Sequence, residues 1–202
     1  MKYISLTLLV LVILGMYFVV ADNSNDQGHT GQNPNLISFQ GSDEDSEEPV
    51  LISPGKHYYN GDEVDVSENG SKKRIRVQNI SADCECNLTQ ERVQNKTTWK
   101  MSLSNGRNAE IKVMPNTASE TALARLRLKV CSPERNCTIV LKEVGSSNET
   151  KATYELDTDR ESKVFGFAKK KMKVVAFVDA ETGEIIKVKK PWWAFLAKES
   201  EE

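Results

Sequence analysis

Histidine is scarce in this sequence, with only His29 and His57 among 202 residues. Neither lies in a motif that marks a catalytic base. The sequence also lacks a glycine-rich phosphate loop, and no pair of carboxylates stands out from the solvated charges. Its cysteines follow a C-x-C and then a C-x5-C spacing, far from both histidines, which matches no common zinc site. We therefore expect a protein that acts by binding, without catalytic residues, a cofactor or a metal ion.

Long hydrophobic runs are equally rare. The only one near the length of a membrane span is the run of 17 residues from Ile4 to Val20, where a spanning helix needs about 20. Val19-Val20-Ala21 has the small residues of a cleavage site. A retained signal anchor is the alternative. We expect residues 1–21 to be a signal peptide, which predicts a secreted, extracellular protein with no membrane span.

Lysine and arginine are absent from residues 22–49, which instead carry seven acids. A segment this polar cannot bury enough apolar surface to offset the entropy lost on ordering, so we expect a disordered acidic tail. The whole chain has a net charge of −2, and without Lys2 and these seven acids the remaining residues 51–202 carry +4. The tail therefore hides the basic character of the rest of the chain.

Three serines in acidic surroundings, Ser42, Ser46 and Ser200, each precede a glutamate by two positions. This spacing resembles the S-x-E site of the secretory-pathway casein kinase. Phosphorylation would make the tail a loose calcium ligand. One interpretation is a matrix or mineral-associated structural glycoprotein, and the other is an acidic tail that only improves solubility.

Four cysteines, Cys84, Cys86, Cys131 and Cys137, favour two disulfide bonds in an exported chain, because the extracellular space is oxidising. A bridge between Cys84 and Cys86 would strain an adjacent pair. We therefore expect the Cys84/Cys86 segment to be linked to the Cys131/Cys137 segment, in an order that the sequence leaves open.

Six N-glycosylation sequons support export, whereas about two would arise by chance from 14 asparagines. Each acceptor must be reachable at the surface, in a turn or at a strand end. The acceptors are Asn69, Asn79, Asn87, Asn95, Asn136 and Asn148. Because Asn79 shares the parity of Ile75 and Val77, that strand must end or twist outward before Asn79.

Residues 50–190 alternate between apolar and polar positions, which is the pattern of strands with one buried face. The sequence predicts an all-β fold with a single β-sandwich-like domain, for which an immunoglobulin-like type is one option. The predicted strands are Val64 to Val66, Ile75 to Val77, Trp99 to Leu103, Ile111 to Val113, Ala124 to Val130, Thr138 to Leu141, Ala152 to Leu156, Val164 to Phe167, Met172 to Val178 and Ile185 to Val188.

One segment, residues 116–126, carries good helix formers after a capping Ser or Thr. We predict a helical turn for its first half and a strand for its second half.

The largest concentration of positive charge lies in residues 163–190, where eight lysines face three acids, a net of +5. Asp179 to Glu184 predicts a tight hairpin in which Gly183 takes a positive φ. Clustered cations favour an anionic polymer, which outside the cell means a glycosaminoglycan or anionic lipid and not nucleic acid. The alternative is a solvated face that protects the edge of a terminal hairpin.

Residues 191–202 form an aromatic and acidic extension in which Pro191 can start a short helix with Trp192, Phe195 and Leu196 on one face. We favour a lid over one end of the sandwich. An exposed cluster would instead bind a protein receptor or a membrane interface. The candidate binding surface combines both signals: Lys169, Lys170, Lys171, Lys173, Lys187, Lys189, Lys190, Trp192 and Trp193.

Overall fold

The alternating segments of the sequence form strands in a computed structural model, which describes residues 48–93, 96–131, 136–146 and 149–199. Within these ranges the chain is predominantly β, as expected, with thirteen strands and one α-helix. The predicted signal peptide, nearly all of the predicted acidic tail, the three candidate serines and the sequons at Asn95 and Asn148 lie outside them.

The strands are short in the first half of the chain and long in the second. They are β1 (Val50–Leu51), β2 (Gly55–Tyr59), β3 (Asp62–Asn69), β4 (Lys72–Val77), β5 (Ile80–Cys84), β6 (Leu88–Val93), β7 (Lys96–Ser102), β8 (Asn108–Glu110), β9 (Thr138–Val144), β10 (Lys151–Val164), β11 (Ala168–Asp179), β12 (Ile185–Lys189) and β13 (Ala197–Glu199). Helix α1 (Pro115–Leu126) lies between β8 and β9, and a 3₁₀ helix (Trp192–Leu196) joins β12 to β13.

Two sheets form from these strands. The large sheet has the order β12-β11-β10-β9-β5-β4-β3-β2, and β13 pairs with the far end of β10. Its pairs are antiparallel except β5 with β9, which are parallel. The small sheet has the order β1-β6-β7-β8. The extension after residue 190 therefore contributes a strand to the large sheet.

One face of the large sheet, called the inner face here, is apolar and covered. Val66, Ile75 and Ala82 are register partners on β3, β4 and β5, and all three are buried. Helix α1 packs on β4, β5, β10 and β11. Trp99 of the small sheet is fully buried with its ring 5.6 Å from that of Tyr59. The helix and the small sheet thus enclose one hydrophobic core with the large sheet.

The opposite, outer face is polar and lined with ion pairs between neighbouring strands. Arg74 makes two hydrogen bonds to Asp83, at 2.6 and 3.1 Å. Lys142 lies 2.6 Å from Glu155. Such exposed pairs add little stability individually, but opposite charges across a register favour the correct strand pairing.

Helix α1 corrects the prediction of a strand from Ala124 to Val130. Its buried residues Ala118, Ala122, Leu123 and Leu126 follow the period of a helix, whereas Ala124 is exposed. Pro115 occupies the first turn, where its missing N–H costs nothing, and Arg127 ends the helix in the left-handed region. The alternation predicted as strand therefore belongs to the last turn of the helix and the residues that follow it.

The predicted strand from Val164 to Phe167 is wrong as well, because Val164 ends β10 and residues 165–167 form the turn between β10 and β11. Phe165 and Gly166 both have positive φ, 52° and 82°. The predicted strand from Ile111 to Val113 follows β8 without being part of it. The buried hydroxyls of Tyr59 and Tyr154 donate hydrogen bonds to the Ile111 and Val113 carbonyl oxygens, at 2.8 and 2.9 Å, and hold this segment against the large sheet.

Three predicted turns are confirmed within the described residues. Asn69 ends β3 and Gly70 follows with a φ of 64°. Strand β4 ends at Val77, so Asn79 lies in the next turn and is exposed, as its buried-face parity required. The turn between β11 and β12 has Gly183 at a φ of 77°.

The disulfide bonds join near neighbours in the sequence, Cys84 to Cys86 and Cys131 to Cys137. The expected link between the two segments is therefore wrong. Strand β5 ends at Cys84 and the chain bends at Cys86, which brings their Cα atoms to 5.3 Å. That separation is usual for a disulfide. The bend removes the geometric objection to an i, i+2 bridge.

Candidate binding surface

The hairpin of β10 and β11 extends beyond its neighbours β9 and β12 in the large sheet. Strand β9 pairs with β10 only up to Asp157, and β12 pairs with β11 only from Val175. Residues 158–174 therefore form a ribbon whose two strands are paired from end to end. Seven residues a strand make it about 24 Å long.

The predicted lysines divide between the two faces of this ribbon. Met172 and Val174 are buried on the inner face, so the intervening Lys173 belongs to the outer face together with Lys169 and Lys171. Lys170 faces inward, and its Nζ lies 4.7 Å from the ring centroid of Trp193. The sequence-predicted surface is therefore not one continuous patch.

Strand β12 adds two lysines to the outer face. Lys187 and Lys189 are the register partners of Phe177 and Val175, and partners in a sheet point to the same side. The Lys189 ammonium lies 4.8 Å from the ring centroid of Phe177, which is buried under it.

These five outer-face residues, called the lysine track from here on, are Lys169, Lys171, Lys173, Lys189 and Lys187 in spatial order. Neighbours along one strand are about 6.8 Å apart, and the whole track spans about 27 Å. It runs diagonally from β11 onto β12.

A row of acids lies beside the track on β10. Glu155, Asp157, Asp159 and Glu161 occupy the outer-face positions of that strand. Asp157 lies 2.8 Å from the Nζ of Lys173 and accepts its hydrogen bond, which raises the pKa of that lysine. The net charge counted over residues 163–190 omits these acids, because they lie earlier in the sequence. Only strand pairing brings them beside the track.

Acidic side chains offset the positive charge of the lysines least at the turn of the ribbon. Lys163 is opposite Lys169 in the register, and both are exposed. Like charges directly opposite each other destabilise a sheet. The fold therefore gains nothing from this pair of lysines.

Arg125 and Arg127 are basic residues that sequence reasoning missed. With Lys190 and Val188 they line a cavity of about 260 Å³ at the end of α1. A strand assignment for this segment gave no reason to connect it with β12. The signal that could have found them is the helical spacing of the apolar residues from Ala118 to Leu126.

The C-terminal 3₁₀ helix separates its aromatic residues by burial. Side chains three residues apart eclipse in a 3₁₀ helix. Trp192 and Phe195 accordingly share a face and are 81% and 77% exposed, whereas Trp193 and Leu196 are half-buried. The predicted face of Trp192, Phe195 and Leu196 assumed α-helical spacing and is wrong in its last member.

Only one of the two neighbouring tryptophans behaves as the expected lid. Trp193 packs against the core under Lys170, but the side chain of Trp192 is largely exposed. Beside the 3₁₀ helix, the turn of the ribbon exposes Phe165 and Phe167, at 66% and 81%.

The acceptor asparagines that the structure describes, Asn69, Asn79, Asn87 and Asn136, are all exposed. Asn136 donates a hydrogen bond of 2.7 Å from its Nδ2 to Asp159 on the ribbon. A glycan there would lie beside the base of the ribbon. Asp159 is five residues from Val164, the last residue of β10, which is about 17 Å along the strand.

Two larger cavities lie away from the ribbon. One of about 860 Å³ is lined by both cysteines of the first disulfide and by Asn87, and one of about 690 Å³ is lined by Lys151 and Asp179. Across the described ranges, no group of three His, Cys, Asp or Glu side chains could hold a metal ion. No helix in the same ranges is long and apolar enough to cross a membrane.

Comparisons with known proteins identify no relative of this chain: no family model, no curated protein and no solved structure matches it.

Proposed function

We propose that this chain is an exported, N-glycosylated protein that binds a sulfated glycosaminoglycan along the lysine track. The observation that carries the proposal is the placement of five lysines on one face of the sheet over about 27 Å. A linear polyanion matches such a track better than a compact ligand does, because its charges repeat along one direction. Paired cysteines and exposed sequons support export.

The acids on β10 make binding selective for strongly charged polymers. A carboxylate such as Asp157 already offsets Lys173, so a ligand must compete with an internal ion pair. Closely spaced sulfate groups do so through many simultaneous contacts, and added salt weakens each of them. A weakly charged glycan would gain too little binding free energy from these contacts to displace the internal ion pair.

The domain is best described as sandwich-like on its inner face, where the small sheet packs Trp99 against Tyr59 and His57. Helix α1 fills the rest of that face, a feature that an immunoglobulin-like sandwich does not require. The alternative function, a matrix or mineral-associated protein acting through its acidic tail, involves residues outside the described ranges. No observation favours it over the lysine track.

Glycosylation is tested on protein secreted from eukaryotic cells. We expect peptide mass spectrometry to find aspartate labelled with heavy oxygen at Asn69, Asn79, Asn87 and Asn136 after the glycans are removed enzymatically in water enriched in that oxygen isotope. All four side chains are accessible. Protein retained inside the cell with unmodified asparagines would contradict export and would remove the basis for an extracellular ligand.

Heparin affinity tests the lysine track. Replacing Lys169 and Lys171 by glutamine should raise the Kd for heparin about tenfold, because two exposed ionic contacts contribute up to about 1 kcal/mol each. Release of the native protein should occur at a higher salt concentration than release of this double variant. Affinity chromatography and isothermal titration measure both effects.

The matched control replaces Lys170 and Lys96 by glutamine. It removes the same net charge, but Lys170 faces inward beside Trp193 and Lys96 lies on the small sheet. We expect this variant to keep most of its affinity. An equal loss in the two double variants would mean that heparin responds to net charge alone, and the track would not be the site.

A further inference from the structure

Four large aromatic side chains are exposed together at the far end of the ribbon. Phe165 and Phe167 come from the turn, and Trp192 and Phe195 come from the 3₁₀ helix, all between 66% and 81% exposed. We call this group the aromatic end. Isolated apolar side chains on a surface are ordinary, but a cluster of this size marks a contact surface.

Backbone hydrogen bonds fix the two halves of the aromatic end to each other. The Phe165 N–H donates to the Leu196 carbonyl oxygen at 3.1 Å. Directly after Leu196, strand β13 pairs with β10 from Ser162 to Val164. The turn and the 3₁₀ helix are therefore held side by side, and their aromatic residues form one preorganised surface.

The aromatic end lies at the turn of the ribbon, about 24 Å from the level where β9 and β12 stop pairing with β10 and β11. The three cavities described above are lined by other residues. An exposed apolar end needs a partner that deforms around it or one that carries a matching groove. The interfacial layer of a lipid bilayer deforms around aromatic side chains and favours tryptophan there.

Lysines surround the aromatic end. Lys163 and Lys169 are opposite each other one position from the turn on either strand, and Lys170 lies beside the 3₁₀ helix. All three are exposed. Their long stems can reach outward while the rings enter an apolar layer, so the ammonium groups would meet phosphate groups of lipid. This charge pattern complements an anionic membrane and not a neutral one.

We propose that the aromatic end inserts into the interfacial layer of an anionic phospholipid bilayer, with the ring of lysines at the level of the phosphates. The protein would lie on the membrane without spanning it. The aromatic residues of this surface are distinct from the lysine track, which runs along the outer face, and the two surfaces share only Lys169. The membrane proposal does not depend on the proposed glycosaminoglycan ligand.

Vesicle co-sedimentation tests the insertion with the secreted, glycosylated protein. We expect binding to vesicles of phosphatidylcholine that contain a minority of phosphatidylserine, and at least tenfold weaker binding to phosphatidylcholine alone. Tryptophan fluorescence should shift to the blue on binding, because Trp192 leaves water whereas Trp99 is already buried. Brominated lipids should quench it.

The diagnostic variant replaces Phe167 and Phe195 by serine. Loss of two buried aromatic contacts should weaken vesicle binding at least tenfold and leave heparin affinity unchanged. The matched control is Tyr58→Ser, since Tyr58 is 71% exposed on β2 at the opposite edge of the large sheet. All these residues are exposed, so melting temperatures should stay close to that of the native protein.

Three results would overturn the proposal. Absence of binding to both kinds of vesicle excludes a membrane partner. Undiminished binding of the Phe167→Ser, Phe195→Ser protein would mean that charge alone attracts it and nothing inserts. A concentration-dependent dimer that this double variant abolishes, seen by analytical ultracentrifugation without vesicles, would assign the aromatic end to a second copy of the chain. Failure of heparin binding would affect only the lysine track.

Discussion

Replacing Trp99 by alanine is expected to lower the free energy of unfolding by about 3–5 kcal/mol. Trp99 is fully buried between the two sheets, where its ring lies 5.8 Å from His57 and 5.6 Å from Tyr59. Alanine would leave a cavity at the place where β7 of the small sheet meets β2 of the large one. Chemical denaturation followed by circular dichroism measures the loss, since the variant also lacks one of the three tryptophans.

The control is Trp99→Phe, which keeps a ring in the same space. The Trp99 Nε1 has no hydrogen-bond partner in the described part of the chain, so its removal leaves no other polar group unsatisfied. We expect phenylalanine to cost less than half as much as alanine. If alanine cost under about 1 kcal/mol, the small sheet would contribute little to the core and could not be called one layer of a sandwich.

Much of the sheet could be predicted from the period of two. The segments around Ile75, Trp99 and Met172 alternate cleanly because one side faces the core and the other faces water. The turns at Asn69-Gly70 and Gly183 were equally legible, since each needs a positive φ that glycine adopts without strain.

Only the first half of helix α1 was predicted, because the residues of its second half satisfy two patterns at once. Leu126 and Leu128 are both buried, one by the helix and one just after it. Read alone, they alternate like a strand. The choice between helix and strand depends on Ala118 and Ala122, whose small side chains let the helix approach the sheet. A pattern that counts only the larger apolar residues leaves these two alanines out.

Only part of the candidate site could be predicted from the sequence. Its lysines were found, but their distribution over two faces depends on register, and the compensating acids come from β10. The aromatic end was missed at the turn, because Phe165 and Phe167 alternate like a strand. Long-range pairing decides both features, and local patterns carry no information about it.

Asp179 stabilises the turn between β11 and β12, and this turn positions part of the lysine track. Its Oδ1 accepts hydrogen bonds from the Glu181 and Thr182 backbone N–H groups, at 2.8 and 3.3 Å. Its Oδ2 accepts one from Lys151 at 2.9 Å. Burial raises the pKa of Asp179, but these hydrogen bonds lower it by more, so the pKa lies below its ordinary value.

We expect Asp179→Ala to lower the free energy of unfolding by about 2–3 kcal/mol at neutral pH, chiefly through the two unsatisfied backbone N–H groups. Lys151 is 59% exposed, so its ion pair contributes the smaller share. The loss should extend to heparin affinity, because this turn sets the register that brings Lys187 and Lys189 beside β11. Urea denaturation and heparin titration on the same variant measure both.

The dependence on pH separates charge from hydrogen bonding. A carboxyl group whose pKa is lowered by folding stabilises the fold fully above its unfolded pKa of about 3.9, and this contribution is lost as the pH falls through the lower folded value. The native protein should therefore lose stability between neutral and strongly acidic pH, and Asp179→Ala should lose less.

Asp179→Asn is the variant that decides between the two causes. Its amide oxygen can still accept from both backbone N–H groups, but it carries no charge for Lys151 and does not titrate. If it keeps most of the neutral-pH stability and loses the acid-dependent part, hydrogen bonds to the turn hold β12 in register and the ion pair only adds to them. If Asp179→Asn were instead as unstable as Asp179→Ala, the turn would be held by the charge of Asp179 and not by its hydrogen bonds to the backbone. The position of Lys187 and Lys189 would then depend on pH through Asp179.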